Sequence, residues 1–222
     1  MEPKVSIKKL FPDDQGHEGW PDYEYAGLPA VTEDGAKVAV VEERDGWGHT
    51  KTPGVRILDA TGKSVGWFPV TPAGMPAPKS EVVMKQAEKA LNDLLKKAND
   101  ELAKGKWLPL RTGPVTTKSD AKGFVATMQV GVIAVRMSFP SQDDYDGRVP
   151  PTEISLRNTK TMLMTAVDSS GWLSTAKCAT PSFSVVGLNE KAKVVVFHQH
   201  IGATTHACDG VAVPHDWRVA KF

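Results

Sequence analysis

"SEVVMKQAEKALNDLLKKANDELAKG", Ser80 to Gly105, is the stretch on which the fold class turns. Val83, Ala87, Leu91, Leu94, Leu95, Ala98 and Leu102 recur at three- and four-residue steps, so they share one stripe only if the chain coils into an α-helix. Ser80 stands at the N-cap position, Glu81 meets the positive end of the helix dipole, and Gly105 ends the run. Acids and lysines fill the other face, with Glu81/Lys85 and Asp93/Lys97 four residues apart. The spacing predicts one amphipathic helix over about 80–104. Its stripe is too short for a coiled-coil seam and long enough to pack on a sheet.

The chain around this helix has the period of strands. "LPAVTEDGAKVAVVEERDG" (Leu28–Gly46) turns at Asp34-Gly35 and continues in a β-branched run over Lys37–Val41. "GVRILDATGKSVGWFPV" (Gly54–Val70) predicts strands at Val55–Leu58 and Ser64–Val70 about a turn at Asp59–Lys63. Glycine in these turns takes positive φ without steric cost. "TPAGMPAPKS" (Thr71–Ser80) is a proline-stiffened connector to the helix. Beyond Trp107, "GFVATMQVGVIAVRMSF" (Gly123–Phe139) reads as a hairpin, and the chain from Glu153 onward is strand-rich, ending in the short edge strand "DWRVAKF". Residues 1–27 alternate Pro, Gly, acids and aromatics without either period and are expected to form an irregular arm. The expected fold is α+β: predominantly antiparallel sheet, meander- or sandwich-like, with one long helix on it. Residues 28–222 are taken as a single domain, with a meander over 28–70, the helix over 80–104 and a β-rich half over 121–222.

Two likenesses accompany this pattern. "DGWGHTKTPGVRIL" and "SGWLSTAKCATPSFSVV" share an order of Gly-Trp, a loop with Thr and Lys, a Pro and a strand, which suggests a pseudo-repeat. Residues 28–65, with their Pro, polar Asp-Gly turn, β-branched strand and Gly-Lys turn, resemble one blade of a TolB-type β-propeller repeat. In that family blades build propellers used mostly to bind other proteins. A closed propeller takes at least about four blades, and 222 residues interrupted by a helix do not supply them.

Bulk composition narrows the function. Lys and Arg number 27 against 26 acids, for a formal charge of +1, and no basic run interleaves with aromatics. Nucleic acid is therefore not an expected partner. Apolar runs such as "VGVIAV" are too short to span a bilayer, and "MEPKVSIKKLF" has no apolar core of a signal peptide. Two cysteines among many prolines, glycines and tryptophans favour an extracytoplasmic domain whose leader has been removed; a cytoplasmic protein is the alternative.

The densest chemistry lies in "VVVFHQHIGATTHACDG" (Val194–Gly210). If Ser182–Gly187 and Lys193–His200 pair through "LNEK", Cys178 falls opposite about residue 201 and Cys208 can turn back to it. A structural Cys178–Cys208 disulfide is the leading expectation, with two buried free thiols as the alternative. Cys208 with His206 as base would need a helix N-terminus or a fixed cation to lower the thiol pKa, and no helix starts nearby. His198 and His200 share a strand face, so a three-histidine zinc site completed by His206 or His215 is the enzymatic alternative, a metal-dependent hydrolase. The first reading needs no cofactor. It is a non-enzymatic binding or structural domain that meets another protein or a small ligand through loop aromatics, Trp47 and Trp172 foremost.

Several apparent motifs lack their context. Ser174-x-x-Lys177 and Ser119-x-x-Lys122 precede strands rather than opening helices. Gly62-Lys63-Ser64 leads into a strand and so lacks a helix dipole for phosphate. The loop containing Asp143, Asp144 and Asp146 has Ile154 where a calcium loop needs its bidentate Glu.

The disulfide expectation has a direct test. Protein exported through an oxidising compartment, denatured without reductant, should show no titratable thiol, and two thiols would remove the disulfide.

Overall fold

A computed structural model of the protein describes residues 5–10, 21–45, 51–72, 81–120, 123–143, 151–167, 179–203 and 216–222. It is an α+β protein of antiparallel sheets with one helix packed on them. The chain forms two compact units, Met1–Pro109 and Leu110–Phe222, where the sequence pattern had grouped residues 28–222 together.

In the first unit, strands β3 (Ala30–Thr32), β4 (Lys37–Asp45), β5 (Lys51–Asp59) and β6 (Ser64–Pro69) form a meander. Helix α1 (Glu81–Leu102) then returns the chain to the opposite edge, where β7 (Trp107–Pro109) pairs with β3, giving the order β6-β5-β4-β3-β7. Crossing four strand spacings is a distance of roughly 19 Å, well within the roughly 33 Å that 22 helical residues cover. The four-stranded meander contains the blade-like segment 28–65, and the helix ends it as a single unit.

The predicted helix and its stripe hold. Leu91, Ala98 and Leu102 are almost wholly buried and Leu94 and Leu95 half-buried, while Val83, near the N-terminus, is 46% exposed. Ala98, Leu102 and Leu95 meet Ala39, Val55 and Ile57 of the sheet in one core. Each such leucine contributes about 1.5–3 kcal/mol by leaving water. The expected Asp93/Lys97 pair is replaced by Lys89–Asp93, beside Lys96–Asp100, so here the cation lies N-terminal to its acid. Ser80 lies outside the described residues.

Within the expected irregular arm, residues 5–10 and 21–27 carry more order than their mixed composition suggests. Strands β1 (Ser6–Leu10) and β2 (Asp22–Ala26) form an antiparallel pair in which Ile7 faces Tyr25. Val5 and Ile7 enter the helix-side core, with Tyr23 and Tyr25 packed against it. The period-two signal is short, and the intervening Pro/Gly segment obscures it. Asn99 of α1 completes the join. Its Oδ1 accepts the Ile7 amide at 2.9 Å and its Nδ2 donates to the Ile7 carbonyl at 3.0 Å. The side-chain amide thus acts as one residue of a neighbouring strand.

In the second unit, β8 (Val115–Asp120), β9 (Gly123–Val130), β10 (Ile133–Phe139), β11 (Glu153–Asn158) and β12 (Met164–Val167) form a five-stranded meander. β13 (Ala179–Asn189), β14 (Val194–Ala203) and β15 (Asp216–Lys221) form a three-stranded sheet. The predicted hairpin is β9–β10, closed by Gly131-Val132 with Gly131 at φ 56°. Phe124, Ala126 and Met128 of β9 alternate inward with Val135, Met137 and Phe139 of β10, and they meet Leu188, Val195 and Phe197 of the other sheet. This is sandwich packing, as the period-two patterning predicted. "DWRVAKF" is the edge strand β15.

The β13–β14 hairpin forms with a different register from the one expected. Its turn is Glu190–Lys193, seated by Asn189 Oδ1 accepting the amides of Lys191 and Ala192. The turn lies two residues beyond the expected "LNEK", which moves the pairing, and a bulge between Val185 and Gly187 takes back one residue of that shift, so Pro181, not position 178, faces Ile201. The ladder continues to Ala179↔Ala203.

Two outcomes follow from the packing of β1 and β2. Asn99→Ala should strip both partners from the Ile7 backbone and cost about 1–3 kcal/mol, read as a lower urea midpoint. Burial pushes the Tyr23 phenol up to about 12 from 10.0, while its hydroxyl donates to the Val70 carbonyl at 2.8 Å. A raised folded-state pKa gives stability that is complete below pH 10 and lost as pH rises toward 12. Tyr23→Phe should therefore flatten the dependence of the unfolding midpoint on pH in that window.

Candidate functional site

Of the sequence-predicted site residues, His198 and His200 fall on described segments. Cys178, Cys208, His206, His215, Trp47 and Trp172 all lie outside the described residues. His198 and His200 are both on β14, facing Ser184 and Ser182 across the ladder. The His198 imidazole stacks on the Trp217 indole of β15, with centroids 4.1 Å apart and planes at 23°. That contact follows from register, since His198 and Trp217 are direct cross-strand partners. The His200 side chain is not described. Among the described residues no group of three His, Cys, Asp or Glu side chains is placed to hold a metal ion.

A cleft of about 490 Å³ opens instead in the first unit, between the β3–β4 turn and the segment joining α1 to β7. Both walls are built by local rules. In the turn, Asp34 Oδ1 accepts the Ala36 amide at 3.0 Å, and Thr32 Oγ1 accepts the Lys37 amide at 2.9 Å. These side-chain-to-backbone bonds hold the turn without further strand pairing. On the other side, α1 ends at Leu102, and the Trp107 indole N–H donates to the Leu102 carbonyl at 2.6 Å, capping one of the open helix carbonyls. Gly105 lies under that indole: a Cβ there would come within 2.7 Å of the ring. The glycine that stops the helix therefore also leaves room for the tryptophan. The Glu33 amide donates to the Lys106 carbonyl at 3.0 Å and ties the two walls together.

The floor is apolar, formed by Ile57 and the largely buried Trp107. The rim carries Lys37, Lys104 and Lys106 beside Glu33, Asp34 and Glu101, with Lys104 paired to Glu101. A second groove of about 270 Å³ continues along α1 past Glu101 and Lys104 to Phe68. There the Asp100 carboxylate accepts a hydrogen bond from Lys96 and holds its ammonium above the usual lysine pKa. The residues lining the main cleft include no histidine, cysteine or serine. An apolar floor under a rim of both charges suits a ligand with an apolar body and polar or zwitterionic ends, and the volume is of the size small-molecule sites have.

Sequence reasoning passed over this cleft. Each half was legible, the Thr32–Gly35 turn and the Gly105 stop followed by Trp107. The missing step was the pairing of β7 with β3 across roughly 75 residues, which no local pattern encodes. No family model, curated protein or solved structure matches the chain.

Proposed function

We propose that this is a non-enzymatic binding protein working outside the cytoplasm, with the Trp107 cleft as its ligand site and a Cys178–Cys208 disulfide holding its C-terminal ribbon. The cleft carries the reading. It has ligand-sized volume, an indole fixed by its own hydrogen bond, and a rim carrying both charges, features of recognition rather than bond-breaking. The β13–β14 ladder supports the disulfide, since it reaches Ala179↔Ala203, the residue after Cys178 and the residue five before Cys208. No helix among the described residues is long and apolar enough to cross a membrane.

Screening a library of small zwitterionic aromatic compounds against the amide spectrum of the isotopically labelled protein tests this. Binders should shift the amides of Glu33, Ala36 and Lys106 together. Gly105→Val, which displaces the indole, should weaken them about tenfold or more, the loss expected from a blocked apolar subsite. A screen whose hits all leave those amides unmoved would remove the cleft from the proposal.

A further inference from the structure

At one end of the second unit three turns adjoin: Gly131-Val132, Thr159–Leu163 and Glu190–Lys193. Thr159 donates its amide (2.8 Å) and its hydroxyl (3.1 Å) to the Val132 carbonyl. A side chain on Gly131 would run into the Glu190 carboxylate. The β11–β12 turn at this end carries Met162, Leu163 and Met164, exposed to 58%, 68% and 58%. Three consecutive apolar side chains so exposed are unusual on a water-facing turn.

The amides of this tip are already satisfied from within. The Lys160 and Thr161 amides donate to Asn158 Oδ1 at 3.0 and 3.1 Å. The Met162 amide donates to the Asn158 carbonyl at 2.8 Å, and the Leu163 amide to Thr161 Oγ1 at 3.5 Å. With Thr159 bound to Val132, each amide from 159 to 163 has an acceptor without water. At a bilayer interface such a turn avoids the several kcal/mol that each orphaned N–H would cost in hydrocarbon.

Charge at this end is one-sided. Arg111, Arg157, Lys160, Lys191, Lys193 and Lys221 lie on or beside these turns, and among the described residues there Glu190 is the one acidic side chain. This contrasts with a chain whose formal charge is +1 overall. The Arg157 guanidinium also contacts the Met162 sulfur at 3.2 Å, so cation and apolar tip are physically joined.

We infer that this end of the second unit is a membrane-docking tip, with Met162, Leu163 and Met164 entering the interface of an anionic bilayer and the surrounding cations meeting its headgroups. The one-signed charge around the tip complements an anionic surface, and fluid acyl chains accept three apolar side chains on a turn, with Met162 at φ 62°, without a matched pocket. Apolar insertion with cations at headgroup level is how peripheral proteins divide the binding energy. The inference goes beyond the proposed ligand cleft and uses none of its residues.

Flotation of the full chain with vesicles tests it. The protein should float with equal parts phosphatidylglycerol and phosphatidylcholine, less at high salt, and far less with phosphatidylcholine alone. The triple variant Met162→Ser/Leu163→Ser/Met164→Ser should lower partitioning about tenfold or more. Lys160→Glu should lower it about fivefold. All four side chains are exposed, so near-ultraviolet circular dichroism should be unchanged and loss of fold is checked separately. Leu163→Trp should gain emission over the wild type that brominated acyl chains quench. Failure to float with the anionic vesicles, undiminished flotation of the triple variant, or unquenched Leu163→Trp emission would each overturn the inference. So would self-association lost in the triple variant with no vesicle binding, which would make the tip a protein contact.

Discussion

An antiparallel sheet with one polar and one apolar face cannot stand alone in water, and everything in this protein follows from how each sheet's apolar face is covered. The first unit covers its meander with helix α1, whose buried residues Leu91, Ala98 and Leu102 recur at helical spacing. The second covers a five-stranded meander with a three-stranded one, so Phe124 and Met137 meet Val195 and Phe197 across the sandwich. The same constraint places the Trp107 cleft. The helix that shields the sheet must end somewhere, and where it ends the chain turns under Trp107 to become the edge strand β7.

A second theme is the use of short polar side chains as substitutes for backbone. Asn99 pairs with both polar groups of Ile7 as a strand residue would. Asn189 seats the β13–β14 turn, Asp59 the β5–β6 turn and Asn158 the apolar tip, each by accepting nearby amides. Buried or desolvated backbone must find partners, and these residues let strands end and turn without water. In the cleft this braces one wall; at the Met162–Met164 tip it presents apolar side chains on a turn whose N–H groups are already bonded.

Strand periodicity was readable wherever a strand has one buried face. β9 and β10 alternate cleanly, and the hairpin between them was expected at the residues where it forms. It was unreadable in β1 and β2, five residues each, where the core-facing members are Ile7 and two tyrosines set among charged neighbours. Register was a further limit. The expected β13–β14 pairing was off by about three residues because the turn closes at Glu190–Lys193, seated by Asn189, and not at "LNEK" two residues earlier. The stacking of His198 on Trp217 depends on a register that neither residue's own strand specifies.

Local physics, then, was written in the chain itself: helical and strand periods, turn glycines and the helix stop, because each depends on residues a few positions apart. What only the tertiary structure decided were the long-range pairings, β7 with β3, Asn99 with Ile7 and the gathering of three turns at one end of the sandwich. Those contacts join segments separated by tens of residues, and their free energy comes from shared burial that no single segment contains. The cleft and the apolar tip are both products of that second kind of information.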